Sequence, residues 1–94
     1  MTIKKVLTIS TAHISAETEE QLCNGDMDEA GLTVYEKGDF GYWIFIDPAT
    51  EVLWHKDEIP EDLMRCIKLA QKNDCSWLCL YCNGDEVPDM PTYE

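Results

Sequence analysis

The segment around residues 38–39 constrains the fold most strongly, because it predicts a β-hairpin whose second strand is apolar on both faces. Residues 32–37 form the first predicted strand, a Gly-Asp turn follows, and residues 40–46 form the second strand. Alternation along that strand places Trp43 and Phe45 on the face opposite to its other apolar side chains. One face must pack against helices, and the other needs a cover of its own.

Turn residues, caps and apolar periodicity divide the rest of the chain into further elements. Strands are predicted over residues 3–11, 51–55 and 76–82, helices after Ser15 and after Pro60, and an acidic loop over residues 26–31. Because residues 76–82 are almost wholly apolar, we expect that strand to be central. The fold class is therefore α+β, a mainly antiparallel sheet of four to five strands with two helices, in the order β-α-β-β-(β)-α-β. We expect one domain over residues 1–84 and an irregular acidic tail over residues 85–94.

The charge balance restricts the classes of partner. Nineteen Asp and Glu stand against seven Lys and Arg, for a net charge of −12. Nucleic acid and anionic membrane surfaces both require a basic face, so direct binding to either is excluded. The sequence holds no apolar run long enough to cross a membrane and no signal-peptide pattern. Its odd number of cysteines suits a reducing compartment, and we expect the protein in the cytoplasm.

Three stretches resemble a family of small bacterial domains of unknown function, carried mainly on proteobacterial plasmids, phages and integrative elements. They are the opening VLTISTAHIS at residues 6–15, EKGDFGY at residues 36–42 and CSWLC at residues 75–79. Small acidic proteins of such elements include anti-CRISPR inhibitors, so the resemblance favours that role. It implies no catalytic residue.

The acidic residues concentrate in two parts of the chain and suggest a binding surface. No Lys or Arg occurs between residues 6 and 36, and a second acidic cluster precedes and opens the second predicted helix. Such a surface could mimic the phosphates of DNA and occupy the basic groove of a nucleic-acid-binding complex, with a CRISPR effector as the expected target. The alternative is that the acid only keeps the domain soluble. The predicted surface comprises Glu17, Glu19, Glu20, Asp26, Asp28, Glu29, Glu36, Asp57, Glu58, Glu61 and Asp62.

Two other sites are alternatives to the acidic surface. The aromatic side chains Trp43, Phe45 and Trp54 could form a face for a partner or a homodimer, unless the C-terminal segment covers them. Cys75, Cys79 and Cys82 could hold zinc or act in redox chemistry, although strand alternation points Cys79 and Cys82 to opposite faces. No Cys or Ser is placed beside a His and an orienting acid, so we expect neither an enzyme nor a cofactor.

Overall fold

Four strands form one mixed sheet at the centre of the domain. They are β1 (Val6–Ser10), β2 (Thr33–Glu36), β3 (Gly41–Phe45) and β4 (Trp77–Tyr81), and they lie in the order β1-β4-β3-β2. The structure is a computed structural model that describes residues 5–36, 41–47, 52, 54–88 and 90–93. β1 and β4 are parallel, whereas β4 with β3 and β3 with β2 are antiparallel. The α+β class and the hairpin are confirmed, and the sheet is mostly antiparallel but mixed.

Three α-helices are present in the described residues: α1 (Ala16–Cys23), α2 (Asp26–Glu29) and α3 (Glu61–Lys72). Two 3-10 turns, Thr11–His13 and Lys56–Glu58, precede α1 and α3. The Ser15 hydroxyl caps α1 by accepting the Thr18 amide at 3.2 Å, as the sequence predicts.

The prediction of only two helices is wrong, because α2 occupies part of the expected acidic loop. Gly25 adopts a left-handed φ of 80°, which ends α1 and lets a new helical turn begin at Asp26. Met27 on that turn is buried, so the short helix is held by core packing.

The core lies between one face of the sheet and the helices. Ile44 of β3 and Leu78 and Leu80 of β4 are fully buried there, as are Leu63 and Ile67 of α3. Spacing of i and i+4 puts the two α3 residues on one side of the helix, as the sequence predicts. The prediction that the last strand is central is also confirmed, since β4 lies between β1 and β3.

Some predicted features lie outside the described residues. These are the hairpin turn, the start of the first strand, and residues 51 and 53 of the strand predicted over residues 51–55. The described residues of that range, Val52, Trp54 and His55, are not in a strand. The His55 amide donates to the Ala30 carbonyl at 2.7 Å, so this segment is held against the end of α2.

The C-terminal segment has neither helix nor strand in its described residues, yet it is attached to the domain. The Ser10 amide donates to the Asp85 carbonyl at 2.9 Å, and the Tyr93 amide donates to the Ala12 carbonyl at 2.6 Å. His13, which is 1% exposed, lies between these contacts. Its Nε2 accepts the Val87 amide at 2.7 Å, so Nδ1 carries the proton and donates to the Pro91 carbonyl at 2.9 Å.

Candidate functional site

Two acidic clusters that are distant in sequence meet at one groove. Side chains of α1, the 56–58 turn and the start of α3 enclose a groove of about 370 Å³. Glu17 lines it from α1, and Asp57 and Glu58 line it from the turn. All three residues are exposed. Within the described part of the chain, none of the three carboxylates forms an ion pair with Lys or Arg. The groove therefore offers three solvated carboxylates to a cationic partner.

The other predicted acids extend this charge over the helices. Those that the structure places in exposed positions are Glu19, Glu20, Asp26, Asp28, Glu29, Glu36 and Glu61. Glu61 is paired with Arg65 at 3.2 Å, four residues along α3. We call the exposed carboxylates of α1, α2 and the 56–58 turn the acidic helical surface.

The charge on α1 and β2 acts on a common neighbour, Tyr42. Burial raises the pKa of the Tyr42 phenol above its ordinary value, and the nearby Cys23, Glu19 and Glu36 raise it further. Glu19 and Glu36 belong to different elements, so the fold brings the acid of the hairpin close to that of α1.

Asp62 does not belong to this exposed surface, because its carboxylate is buried and bound within the fold. It accepts the Ser15 amide at 2.7 Å, the Thr18 hydroxyl at 2.8 Å and the Leu63 amide at 2.9 Å. Burial opposes ionisation of the carboxyl, but these hydrogen bonds outweigh it and lower the pKa of Asp62. Asp62 therefore joins the start of α1 to the start of α3.

The second candidate site is the sheet face that the helices leave open. Trp43 and Phe45 lie on it, as alternation predicts, together with Tyr35 of β2 and Trp77 of β4. The Trp77 ring is the centre of this cluster, with ring centroids at 4.9 Å to Phe45, 6.2 Å to Tyr35 and 6.3 Å to Trp43. We call this aromatic surface the open sheet face.

A cavity lies within the open sheet face. It has a volume of about 380 Å³ and is lined by Val6, Tyr35, Trp43 and Trp77. Tyr35 is 57% exposed and Val6 is 42% exposed, so solvent reaches its walls. We call it the aromatic pocket.

Trp54 is wrongly placed by the sequence prediction. It is 7% exposed and packs in the core with the helices, on the other side of the sheet from Trp43 and Phe45. The described residues around it do not form a strand, so strand alternation does not apply there.

The described residues of the C-terminal segment do not cover the aromatic pocket. Val87 and Met90 pack against the core instead, and Tyr93 binds Ala12 and Arg65.

The three late cysteines are not brought together. Cys75 is buried in the core, Cys79 is buried at a β4 position on the open-face side, and Cys82 is exposed. Among the residues that the structure describes, no group of three His, Cys, Asp or Glu side chains could hold a metal ion. No helix in those same residues is long and apolar enough to cross a membrane.

Three residues that hold the C-terminal segment or form the open sheet face could not be identified from the sequence. His13 is bound to Val87 and Pro91, which are more than seventy residues away, so no local signal reveals its role. Tyr35 and Trp77 lie in predicted strands, where nothing local singles them out. The pairings of Tyr35 with Trp43 and of Trp77 with Phe45 place both rings on the open sheet face, but strand order does not follow from one sequence.

Comparison with known proteins gives a family but no function. No curated protein and no solved structure matches the chain. Residues 6–94 match a family of unknown function, DUF5983, over its C-terminal domain. This match runs from β1 through the C-terminal segment, and the chain therefore belongs to the DUF5983 family.

Proposed function

We propose that this domain is a non-catalytic inhibitor that binds a nucleic-acid-processing complex of a bacterial host through the acidic helical surface. The observation that carries the proposal is the convergence of Glu17 with Asp57 and Glu58 at one groove. Carboxylates of residues forty positions apart in the chain thus line the same groove. The acid is locally concentrated at this groove, and this concentration favours a binding role over solubility alone.

The dimensions of the domain are compatible with DNA mimicry. Its longest extent is 36 Å. Duplex DNA of that length carries about 21 phosphates, at one charge per about 1.7 Å. The chain carries 19 carboxylate side chains. A basic groove that binds DNA would therefore meet a body of similar length, whose acidic face carries part of that charge.

The distribution of basic residues supports the same role. Arg65, Lys68 and Lys72 all lie on α3, Lys56 lies in the 56–58 turn, and α1 and α2 contain no Lys or Arg. The acidic helical surface therefore has few cations of its own to neutralise it, and its field would steer it toward a basic partner. A CRISPR effector is the specific target that we propose, because the family resemblance points to mobile elements and inhibitors of that kind.

The test is competition with DNA for purified bacterial CRISPR effector complexes, read by gel shift. Wild-type protein should prevent DNA binding by at least one complex. The groove variant Glu17→Gln/Asp57→Asn/Glu58→Gln should weaken this competition at least about tenfold, because it removes three charges that would face the basic groove. Wild-type protein that competes with none of the complexes, or a groove variant that competes as well as wild type, would contradict the proposal.

A matched control separates a shaped surface from diffuse charge. Asp85→Asn/Glu86→Gln/Asp89→Asn removes the same number of charges from the C-terminal segment and should reduce competition much less. Glu17 lies in the first turn of α1, where its charge contributes about 0.3–1 kcal/mol through the helix dipole. Helix content of both variants is therefore measured by circular dichroism before competition is compared.

A second candidate function is an interaction domain of a mobile element that binds a protein through the open sheet face. The specific observation in its favour is the aromatic pocket, whose walls are apolar and partly exposed. Aromatic residues are enriched at the centres of protein interfaces.

A further inference from the structure

We infer that the aromatic pocket receives an arginine side chain of a protein partner. The inference deepens the second candidate function and rests on it, since it names the chemistry that the open sheet face would recognise. It does not depend on the acidic helical surface, which lies on the elements that cover the other side of the sheet.

The geometry of the rings suits a planar cation. The Trp43 and Trp77 ring planes meet at 85°, and the Tyr35 ring is tilted by 37° to Trp77. A cation is attracted to an aromatic face when it lies within about 6 Å of the ring centroid, and tryptophan gives the strongest such attraction. Because the Tyr35 and Trp43 centroids lie 6.2 and 6.3 Å from that of Trp77, a group inside the pocket can be within reach of more than one ring.

The strands supply no charge to the open sheet face. Its described strand positions are Val6, Thr8, Ser10, Thr33, Tyr35, Gly41, Trp43, Phe45, Trp77, Cys79 and Tyr81, and none is charged. Lys5 directly precedes Val6, but its ammonium donates to the Asn73 carbonyl at 3.0 Å, at the end of α3. Among the residues that the structure describes, the aromatic pocket thus offers ring faces and apolar contact but no carboxylate.

Net charge decides between a basic partner and a second copy of the chain. Each copy carries a net charge of −12, so two open sheet faces would meet against mutual repulsion. The same charge attracts a basic protein and raises the local concentration of its exposed Arg and Lys side chains. Arginine fits better than lysine, because its planar guanidinium stacks on aromatic faces and is more weakly hydrated than an ammonium.

The experiment compares two peptides that differ only in charge. Ac-Gly-Arg-Gly-NH2 and its citrulline analogue are titrated into the full chain at about 0.5 M salt, where exposed ion pairs are strongly screened. Binding is followed through the indole NH and backbone amide signals in NMR spectra. The arginine peptide should shift the signals of Trp43 and Trp77 and bind about fivefold more tightly than the citrulline peptide. Trp54, buried on the other side of the sheet, should not shift and serves as the internal reference.

Variants at the most exposed ring test the assignment with little risk to folding. Tyr35→Leu keeps apolar contact but removes a ring face, and should reduce the preference for arginine over citrulline; Tyr35→Phe should keep it. Trp77→Leu should abolish the preference if the variant folds.

Different failures have different meanings. Equal binding of both peptides at the pocket would overturn the arginine inference and leave the open sheet face as an interaction surface. If neither peptide shifted the signals of Trp43 or Trp77, both the arginine inference and the open sheet face as an interaction surface would be overturned. Shifts confined to signals of Glu17, Asp57 and Glu58 would also overturn the inference, because the peptide would then be bound at the acidic groove.

Discussion

On one side of β4, Leu78 and Leu80 are fully buried beneath the helices, whereas on the other side Trp77 and Tyr81 stay partly exposed. The two sides also differ in how polar groups are used. The helical side buries Asp62 and His13, each with several hydrogen bonds, and carries its other acids outward to solvent. The open sheet face has rings and no described strand charge. We therefore expect the helical side to supply most of the stability, while the open sheet face is available for recognition.

Truncation of one buried and one exposed side chain should give the largest difference in the free energy of unfolding between the two faces. Ile67→Ala, beneath the sheet, should lower the free energy of unfolding by about 2–5 kcal/mol, because it opens a cavity in the core. Tyr35→Ala, on the open sheet face, should cost less than about 1 kcal/mol, since the side chain is 57% exposed. Urea unfolding measures both. Equal losses would show that the open sheet face is part of the stabilising core.

Loss of the buried carboxylate should have the next largest effect. Asp62→Ala should cost about 1.5–3 kcal/mol, because hydrogen bonds to a charged group are lost and the Ser15 amide is left without its acceptor. Asp57→Ala is the matched control at an exposed acid nearby and should change stability by less than about 0.5 kcal/mol.

The pKa of Asp62 gives this contribution a defined pH dependence. Folding lowers the pKa of its carboxyl, so the folded state binds the proton less tightly than the unfolded state does. The stabilisation is therefore complete above the ordinary carboxyl value of about 3.9 and is lost as pH falls through the lowered folded value. Unfolding at a series of pH values should show a smaller acid loss in Asp62→Asn than in wild type. An unchanged profile would mean that other carboxyls dominate.

His13 should have a smaller effect that is concentrated in the C-terminal segment. His13→Leu leaves the Val87 amide and the Pro91 carbonyl without their partner and should cost about 1–2 kcal/mol. Hydrogen exchange at Val87 should accelerate more than exchange in β4. His55→Leu, at an exposed site, is the control and should leave Val87 exchange unchanged. Slow exchange at Val87 in His13→Leu would show that the segment is held by other contacts.

These differences also explain what the sequence could and could not reveal. The hairpin, the Ser15 cap, the apolar side of α3 and the central position of β4 depend on local periodicity or composition, and they were predictable. The parallel pairing of β1 with β4 and the three partners of Asp62 depend on contacts between distant segments. In the sequence, Asp62 resembles a surface acid because it stands in a cluster with Glu58 and Glu61. Trp54 looked like a strand aromatic for the same kind of local reason.

The smallest stability effect is expected on the acidic helical surface itself. Asp26→Asn/Asp28→Asn/Glu29→Gln should change the free energy of unfolding by less than about 0.5 kcal/mol per site, because all three side chains are exposed. The same variant should weaken competition with DNA for an effector complex. Thermal unfolding and gel shift on one preparation measure the two effects together. A large loss of stability would show that these acids have a structural role in α2.

The most direct test of the acidic helical surface as a binding site is the salt dependence of its affinity for an effector complex. The complex is one whose DNA binding the protein prevents in the gel-shift test. Binding of wild-type protein to the complex is measured between about 50 and 200 mM salt, in parallel with the groove variant Glu17→Gln/Asp57→Asn/Glu58→Gln. Wild-type affinity should fall on the order of tenfold over this range, and the variant should show a shallower dependence, because fewer charge pairs are screened. A wild-type affinity that stays flat across the range would contradict electrostatic mimicry of DNA.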